Sequence, residues 1–186
     1  MSTDKPGWTL VYTIGHSTRP LPEFIRLLRN YGVTLVADVR TVPRSRHNPQ
    51  FNKEILPNDL AVWGLGYVHL PGLGGLRKTQ TDSLNQGWRS PAFRGFADYM
   101  QTTEFEAQLS GLIELARKQF AAIMCAEALP WRCHRSLIAD ALTVRGVRVE
   151  HILGLEKSQP HRLTPFARVA GTRLSYPPQE SQGAPG

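Results

Sequence analysis

A chain of 186 residues is long enough for one ordinary domain and too short for two comfortable ones. Its 41% hydrophobic and 20% charged residues exclude wholesale disorder, and no run approaches the ~18 apolar residues that would span a bilayer. The formal charge of +7 points to anionic partners, a small molecule or nucleic acid, without choosing between them.

Residues 1–7 have no apolar stretch behind their charges, so they do not read as a signal peptide, and residues 1–8 are expected to be flexible. The two cysteines, Cys125 and Cys133, are too few for a disulfide scaffold. They suggest free thiols in a reducing cytoplasm and no disulfide-linked partner.

Thr9 to Ile14 is a short apolar run ending at Gly15 and reads as a strand. After the Gly15-His16-Ser17-Thr18 turn, Phe24, Leu27, Leu28 and Tyr31 recur at helical spacing, with Pro20 and Pro22 at the helix start and Gly32 at its end. Val33 to Val39 is apolar on both faces up to Asp38, as a parallel strand covered by helices should be. Residues 40–50 carry Arg40, Arg44 and Arg46 and no acid, and read as a loop. Lys53 to Trp63 has helical character that Pro57 limits to short pieces. Gly66 to Leu70 is a third strand.

Residues 71–91 hold Gly72, Gly74, Gly75, Gly87 and Pro91, and so long a loop is expected to be a lid or a mobile segment. From Phe93 the pattern is helical again, with Phe105, Leu109, Leu112, Ile113 and Ala116 on one face. Phe120 to Ala126 is the clearest buried strand. Leu137, Ile138, Ala141 and Leu142 mark a helix stopped by Gly146, and Val147 to Leu153 is the last strand. Beyond Glu156 the chain is rich in Pro, Gly and Ser, and residues 179–186 are expected to fray. The alternation predicts an α/β fold. It would be one domain over residues 9–178, with a mainly parallel sheet of about five strands flanked by helices in a Rossmann-like three-layer arrangement.

In such sheets ligands bind beyond the carboxyl ends of the strands. Four polar clusters follow predicted strands: His16 and Ser17; Asp38, Arg40 and Ser45; His69 with the Gly72–Gly75 stretch; and Cys125, Glu127, Arg132, Cys133, His134 and Arg135. The last is the most specific. A helix start attracts anions, Arg132 and Arg135 add donors for phosphate or carboxylate, and a thiol in that first turn has its thiolate favoured. The competing reading is a helix start capped by solvent-facing arginines, with both cysteines as packing residues. Glu127 and Asp38, each at the end of an apolar strand, would need a partner if buried, and ion pairing competes with a chemical role. His16 and His134 are of the right type for proton transfer and equally for a structural hydrogen bond. No metal site is expected: Cys125, Cys133 and His134 supply ligand types, but neighbours in one helical turn seldom converge on one ion. The Gly72–Gly75 stretch lacks the Lys-Ser/Thr ending of a phosphate loop.

Five motifs together, in order and spacing, resemble one family: Thr13-Ile14-Gly15-His16-Ser17; Val36-Ala37-Asp38-Val39-Arg40 with Pro43, Ser45 and Phe51; Leu70-Pro71-Gly72-Leu73-Gly74-Gly75; Cys125-Ala126-Glu127; and Cys133-His134-Arg135-Ser136-Leu137. It is the bacterial and archaeal family named domain of unknown function 488. The likeness extends over about residues 9–178, the ending through His161–Pro165 and Ser175–Pro177 included. The resemblance implies an α/β domain whose motif residues gather in one pocket. It implies no settled reaction, because the family's name declares its function unknown.

The leading reading is a cytoplasmic enzyme with an anion-binding pocket, acting on a phosphate-bearing small molecule, a nucleotide or a nucleic-acid end. Glu127, Cys133, His134, His16 and Asp38 are the candidate catalytic residues. Ser17, Arg40, Ser45, Cys125, Arg132 and Arg135 are the candidates for binding the anion or substrate. These residues point to no particular cofactor. One rival is a non-catalytic nucleic-acid-binding module using the basic loop 40–53 with Trp63, Trp88 and Trp131. Another is sulfur transfer through Cys133, since Asp38-Val39-Arg40 superficially resembles the Asp-Val-Arg segment of rhodaneses.

Overall fold

The computed structural model describes residues 8–179. The expected flexible start and frayed tail fall almost wholly outside the described residues.

The strands alternate their side chains between two apolar layers, as a pleat of period two requires. On β1 (Leu10–Gly15), β2 (Leu35–Asp38) and β4 (Ala121–Cys125), one set of positions faces one cluster: Ile14, Val36, Ala122 and Met124. That cluster is completed by α1 (Leu21–Asn30) and α2 (Leu56–Val62) through Phe24, Leu28, Leu56 and Leu60. The intervening positions, Val11, Leu35, Ala37, Ala121, Ile123 and Cys125, face the other cluster. There they meet α3 (Pro91–Tyr99), α4 (Thr103–Lys118) and α5 (Arg135–Thr143) through Phe96, Leu109, Leu112, Leu137 and Ile138. This is the three-layer α/β architecture expected of the sequence.

The sheet has six strands rather than about five. With β3 (Gly66–His69), β5 (Arg148–Gly154) and β6 (Lys157–Pro160), the order is β3-β2-β4-β1-β5-β6. The first five run parallel, and β6 adds antiparallel to β5. A separate two-stranded sheet, β7 (Arg168–Ala170) with β8 (Arg173–Ser175), follows. These last three strands lie beyond Glu156, in the stretch rich in Pro, Gly and Ser for which the sequence predicted no strand.

Local chemistry sets the element ends. Gly32 after α1 and Gly146 after α5 have φ of 68° and 75°, and the N–H of the next residue reaches back five residues to close each helix. Thr102 caps α4, its hydroxyl accepting the Phe105 N–H at 3.2 Å, and so divides the expected single helical stretch into α3 and α4. Pro57 starts α2 instead of breaking it, because a proline in the first turn gives up an N–H that has no partner there.

The 71–91 segment, expected to be a lid or a mobile stretch, is held by hydrogen bonds over residues 80–87. Buried Asp98 accepts from Gln80 N, Ser83 Oγ and Asn85 Nδ2 at 2.9, 2.6 and 2.8 Å. Asn85 in turn accepts the Tyr176 N–H at 2.9 Å, and Gly87 N–H donates to Tyr176 O at 2.8 Å.

Candidate active site

Strand order decides where a crevice opens. The chain leaves β1 for α1 on one face and leaves β4 for α5 on the other, although β1 and β4 are neighbours. A crevice outside the carboxyl ends of two such strands is where α/β sheets bind ligands. The crevice is narrow at its base. His16 N–H and Ser17 N–H donate to Cys125 O and Ala126 O, both at 2.9 Å. A Cβ on Gly15 would lie 1.9 Å from Glu127 O, so only glycine fits there. An open cleft of about 350 Å³ lies beside it, lined by Arg40, Cys125, Glu127, Arg132, Cys133 and His134 with Val42, Leu76 and Phe93 at its rim.

Beneath the cleft, Asp38 and Arg40 form a buried pair. Arg40 Nε donates to Asp38 Oδ1 at 2.9 Å and Nη2 to Oδ2 at 2.6 Å, a bidentate arrangement supported by the Tyr67 hydroxyl at 2.7 Å. Arg40 Nη2 also donates to Phe51 O at 2.7 Å. Arg40 Nη1 lies 3.2 Å from His16 Nε2. A guanidinium can only donate, so Nε2 accepts and Nδ1 carries the hydrogen that goes to Ser17 O at 2.9 Å. His16 is therefore a neutral imidazole stacked on Phe51. Burial, above all, pushes its pKa down to about 4, with Arg40 and Arg135 adding to that effect. Asp38, Arg40 and His16 thus spend their hydrogen bonds on one another. Their expected roles in proton transfer and anion binding meet a set of groups already satisfied.

The thiols behave differently. Cys125 ends β4, and Cys133 sits just ahead of α5, two residues before the first helical turn in which the sequence placed it. Their sulfurs are 2.9 Å apart. The hydrogen bond between them lowers the pKa of Cys133, and Arg135 lowers it further through its charge and its main chain, which together outweigh burial. The same shared proton, with burial, pushes Cys125 up. His134 donates Nε2–H to Val39 O at 3.1 Å, which leaves the Nδ1 lone pair facing Cys133 Sγ at 3.5 Å.

The ligand atoms of Cys125, Cys133 and His134 all lie within 4.8 Å of one another, so these neighbours in sequence do converge, against expectation. The fold brings Cys125 back to a pair that the local turn alone would not complete. The sulfur separation is nevertheless shorter than the about 3.7 Å that two thiolates take on one tetrahedral zinc with Zn–S near 2.3 Å.

Arg135 does not reach solvent. It is 1% exposed, its Nη2 donates to Glu127 O at 2.5 Å, and its Nη1 lies 3.4 Å from Thr13 Oγ1. Its Nε has no partner, and no carboxylate pairs with it among the described residues. Glu127 is exposed rather than buried, and its Oε1 lies 3.4 Å from Leu129 N. Arg132 is exposed at the cleft. Ser17 and Ser45 are not brought to the cleft. Ser17 makes the tight crossing with φ of 49°, and Ser45 Oγ accepts Asn48 N–H inside the 40–50 loop. Of the tryptophans, Trp88 packs against Phe93, Phe166 and Tyr176, whereas Trp63 and Trp131 are exposed in two other, separate grooves and not in this cleft.

The glycines of the 72–75 stretch make room. A Cβ on Gly75 would lie 2.6 Å from His134 Nδ1. Gly75→Ala is expected to cost about 1–3 kcal/mol in urea denaturation and to move the His134 imidazole NMR signals. Wild-type stability with unmoved signals would show that this packing does not hold the ring.

Sequence reasoning missed a buried polar chain behind the cleft. Thr13 Oγ1 lies 2.7 Å from His151 Nδ1, and His151 Nε2 lies 2.9 Å from His161 Nδ1. His161 Nε2 lies 2.8 Å from Asp140 Oδ1, and the Tyr176 hydroxyl donates to Asp140 Oδ2 at 2.8 Å. Burial and then the neighbouring His161 and Arg135 charges push His151 down to about 3. The signal was polar residues on faces expected to be apolar: Thr13 in β1, Asp140 in α5 and His151 in β5.

The family described as domain of unknown function DUF488 matches residues 20–142, a narrower span than the motifs suggested, leaving Thr13–Ser17 and the ending beyond it. No curated protein and no solved structure matches the chain.

Proposed function

Since the chain belongs to the family described as domain of unknown function DUF488, a description that assigns no reaction, we propose the function from the site: an enzyme that uses the Cys133 thiolate as its nucleophile on a small substrate bearing an anionic group. The observation that carries this reading is Arg135, a fully buried guanidinium without a carboxylate partner among the described residues. An uncompensated buried charge is costly, and an ionised Cys133 beside it supplies the missing negative charge. Cys133 Sγ bonds to the electrophilic atom of the substrate as that atom releases its leaving group. His134, oriented by Val39 O, exchanges the proton through Nδ1. Arg132, exposed at the cleft, meets the anion, while the guanidinium of Arg40 is engaged by Asp38 and Phe51 O and that of Arg135 by Glu127 O.

The test is peptide-resolved iodoacetamide labelling of the folded protein from pH 5 to 9. Cys133 is expected to label with a midpoint well below the ordinary thiol value of about 8.5, and faster at neutral pH than Cys125. Slow labelling of both, with midpoints at or above that value, would leave Cys133 a packing residue and overturn the reading.

A further inference from the structure

We infer that Cys125 and Cys133 form a reversible dithiol–disulfide couple, and that the substrate class taken at the cleft is a small disulfide, which the pair reduces to two thiols. This rests on the nucleophilic role of Cys133 and adds to it the identity of the electrophile.

Three observations lead there. The two sulfurs lie 2.9 Å apart, so closing a bond of about 2.05 Å needs only about 0.9 Å of movement. Both residues line the same open cleft, so a reagent that reaches one sulfur is next to the other. The third is chemical. A second thiol at this distance is placed to attack Cys133 Sγ itself, and that attack is productive when the group leaving Cys133 is another sulfur. A carbon electrophile would leave Cys133 bonded to carbon, and Cys125 would then have no sulfur bond to displace.

The steps balance as follows. The Cys133 thiolate attacks one sulfur of R–S–S–R′, forming a Cys133–S–R mixed disulfide and releasing R′–S⁻, which takes the proton that His134 Nδ1 had accepted from Cys133. Cys125, whose sulfur lies within 4.8 Å of the His134 ring nitrogen, gives its proton to the imidazole and attacks Cys133 Sγ. The Cys125–Cys133 disulfide forms as R–S⁻ leaves and takes a proton. Two electrons pass from the pair to the substrate, and a dithiol reductant in solution restores the reduced pair by the reverse exchange.

The experiment treats the reduced full chain with the dicarboxylate 3,3′-dithiodipropionate at neutral pH and reads intact mass. The wild type is expected to lose two hydrogens without gaining an adduct, and dithiothreitol should reverse the loss. Cys125→Ser is expected to hold one adduct at Cys133, because nothing then displaces it. Should that variant fail to fold, titration of the wild type in dithiothreitol redox buffers should show a single two-electron transition. A wild type that keeps the adduct, or that shows no such transition, overturns the inference. If Cys133 still labels fast in that case, the nucleophile reading stands without it; if Cys133 labels slowly, both fall.

Discussion

Lowering the pH from 6.5 to 4 is expected to remove about 3 kcal/mol of stability through each of two buried histidines, His16 and His151. In the unfolded chain both imidazoles titrate near 6.5, whereas folded they titrate at about 4 and about 3. Within that window the unfolded chain binds more protons, so stability falls as pH falls. The cause is geometric. A proton on His16 Nε2 would face the Arg40 guanidinium at 3.2 Å, with Asp38 already engaged by Arg40. A charged His151 would sit between Thr13 and His161, close enough to Arg135 to feel its charge, with Asp140 one imidazole further away. Urea midpoints measured from pH 7 to 4 should fall steadily below pH 6.5. A flat profile from 7 to 5 would mean that these rings are hydrated enough to charge in place.

Asp38→Ala is expected to cost about 3–5 kcal/mol, because it removes one partner of a fully buried ion pair. Arg40 would keep only Phe51 O and the His16 ring to satisfy a guanidinium that is 7% exposed. The double variant Asp38→Ala, Arg40→Met should recover much of that loss, since the uncompensated charge goes with the second change. Urea denaturation of both proteins decides it. A single variant within about 1 kcal/mol of wild type would show that the pair is solvated and not structural.

Much of this was legible because a parallel sheet covered on both faces writes itself as uninterrupted apolar runs, and Val33–Val39 and Phe120–Ala126 read so. The polar clusters at strand ends follow from the same topology. The last strands were not legible: Lys157–Pro160 and Arg168–Ala170 are exposed throughout, so no apolar alternation marks them. The direction in which a charge points was equally hidden. Arg132 and Arg135 look alike in sequence, yet one is exposed at the cleft and the other is buried under it, because the helix turns residue 135 toward β1. The meeting of Cys125 with Cys133 needed the turn at 126–134 to fold back, which no local pattern announces.

The placement of β1 also bears on how quickly the chain can find its structure. Its partners are β4 and β5, so Val11 pairs with Ala121 and with Val149, more than a hundred residues away. The β2–β3 pairing, by contrast, joins Leu35 to Gly66 and is closed locally through α2. Closing loops of that length carries an entropic cost before any contact rewards it, which places this topology among the slower folders. The β2–β3 unit with α1 and α2 can assemble early, while an apolar β1 waits, its edge groups unsatisfied, for strands made much later in the sequence. Over that interval β1 and the β4-facing edge of β2 are both open to pairing with a neighbouring chain.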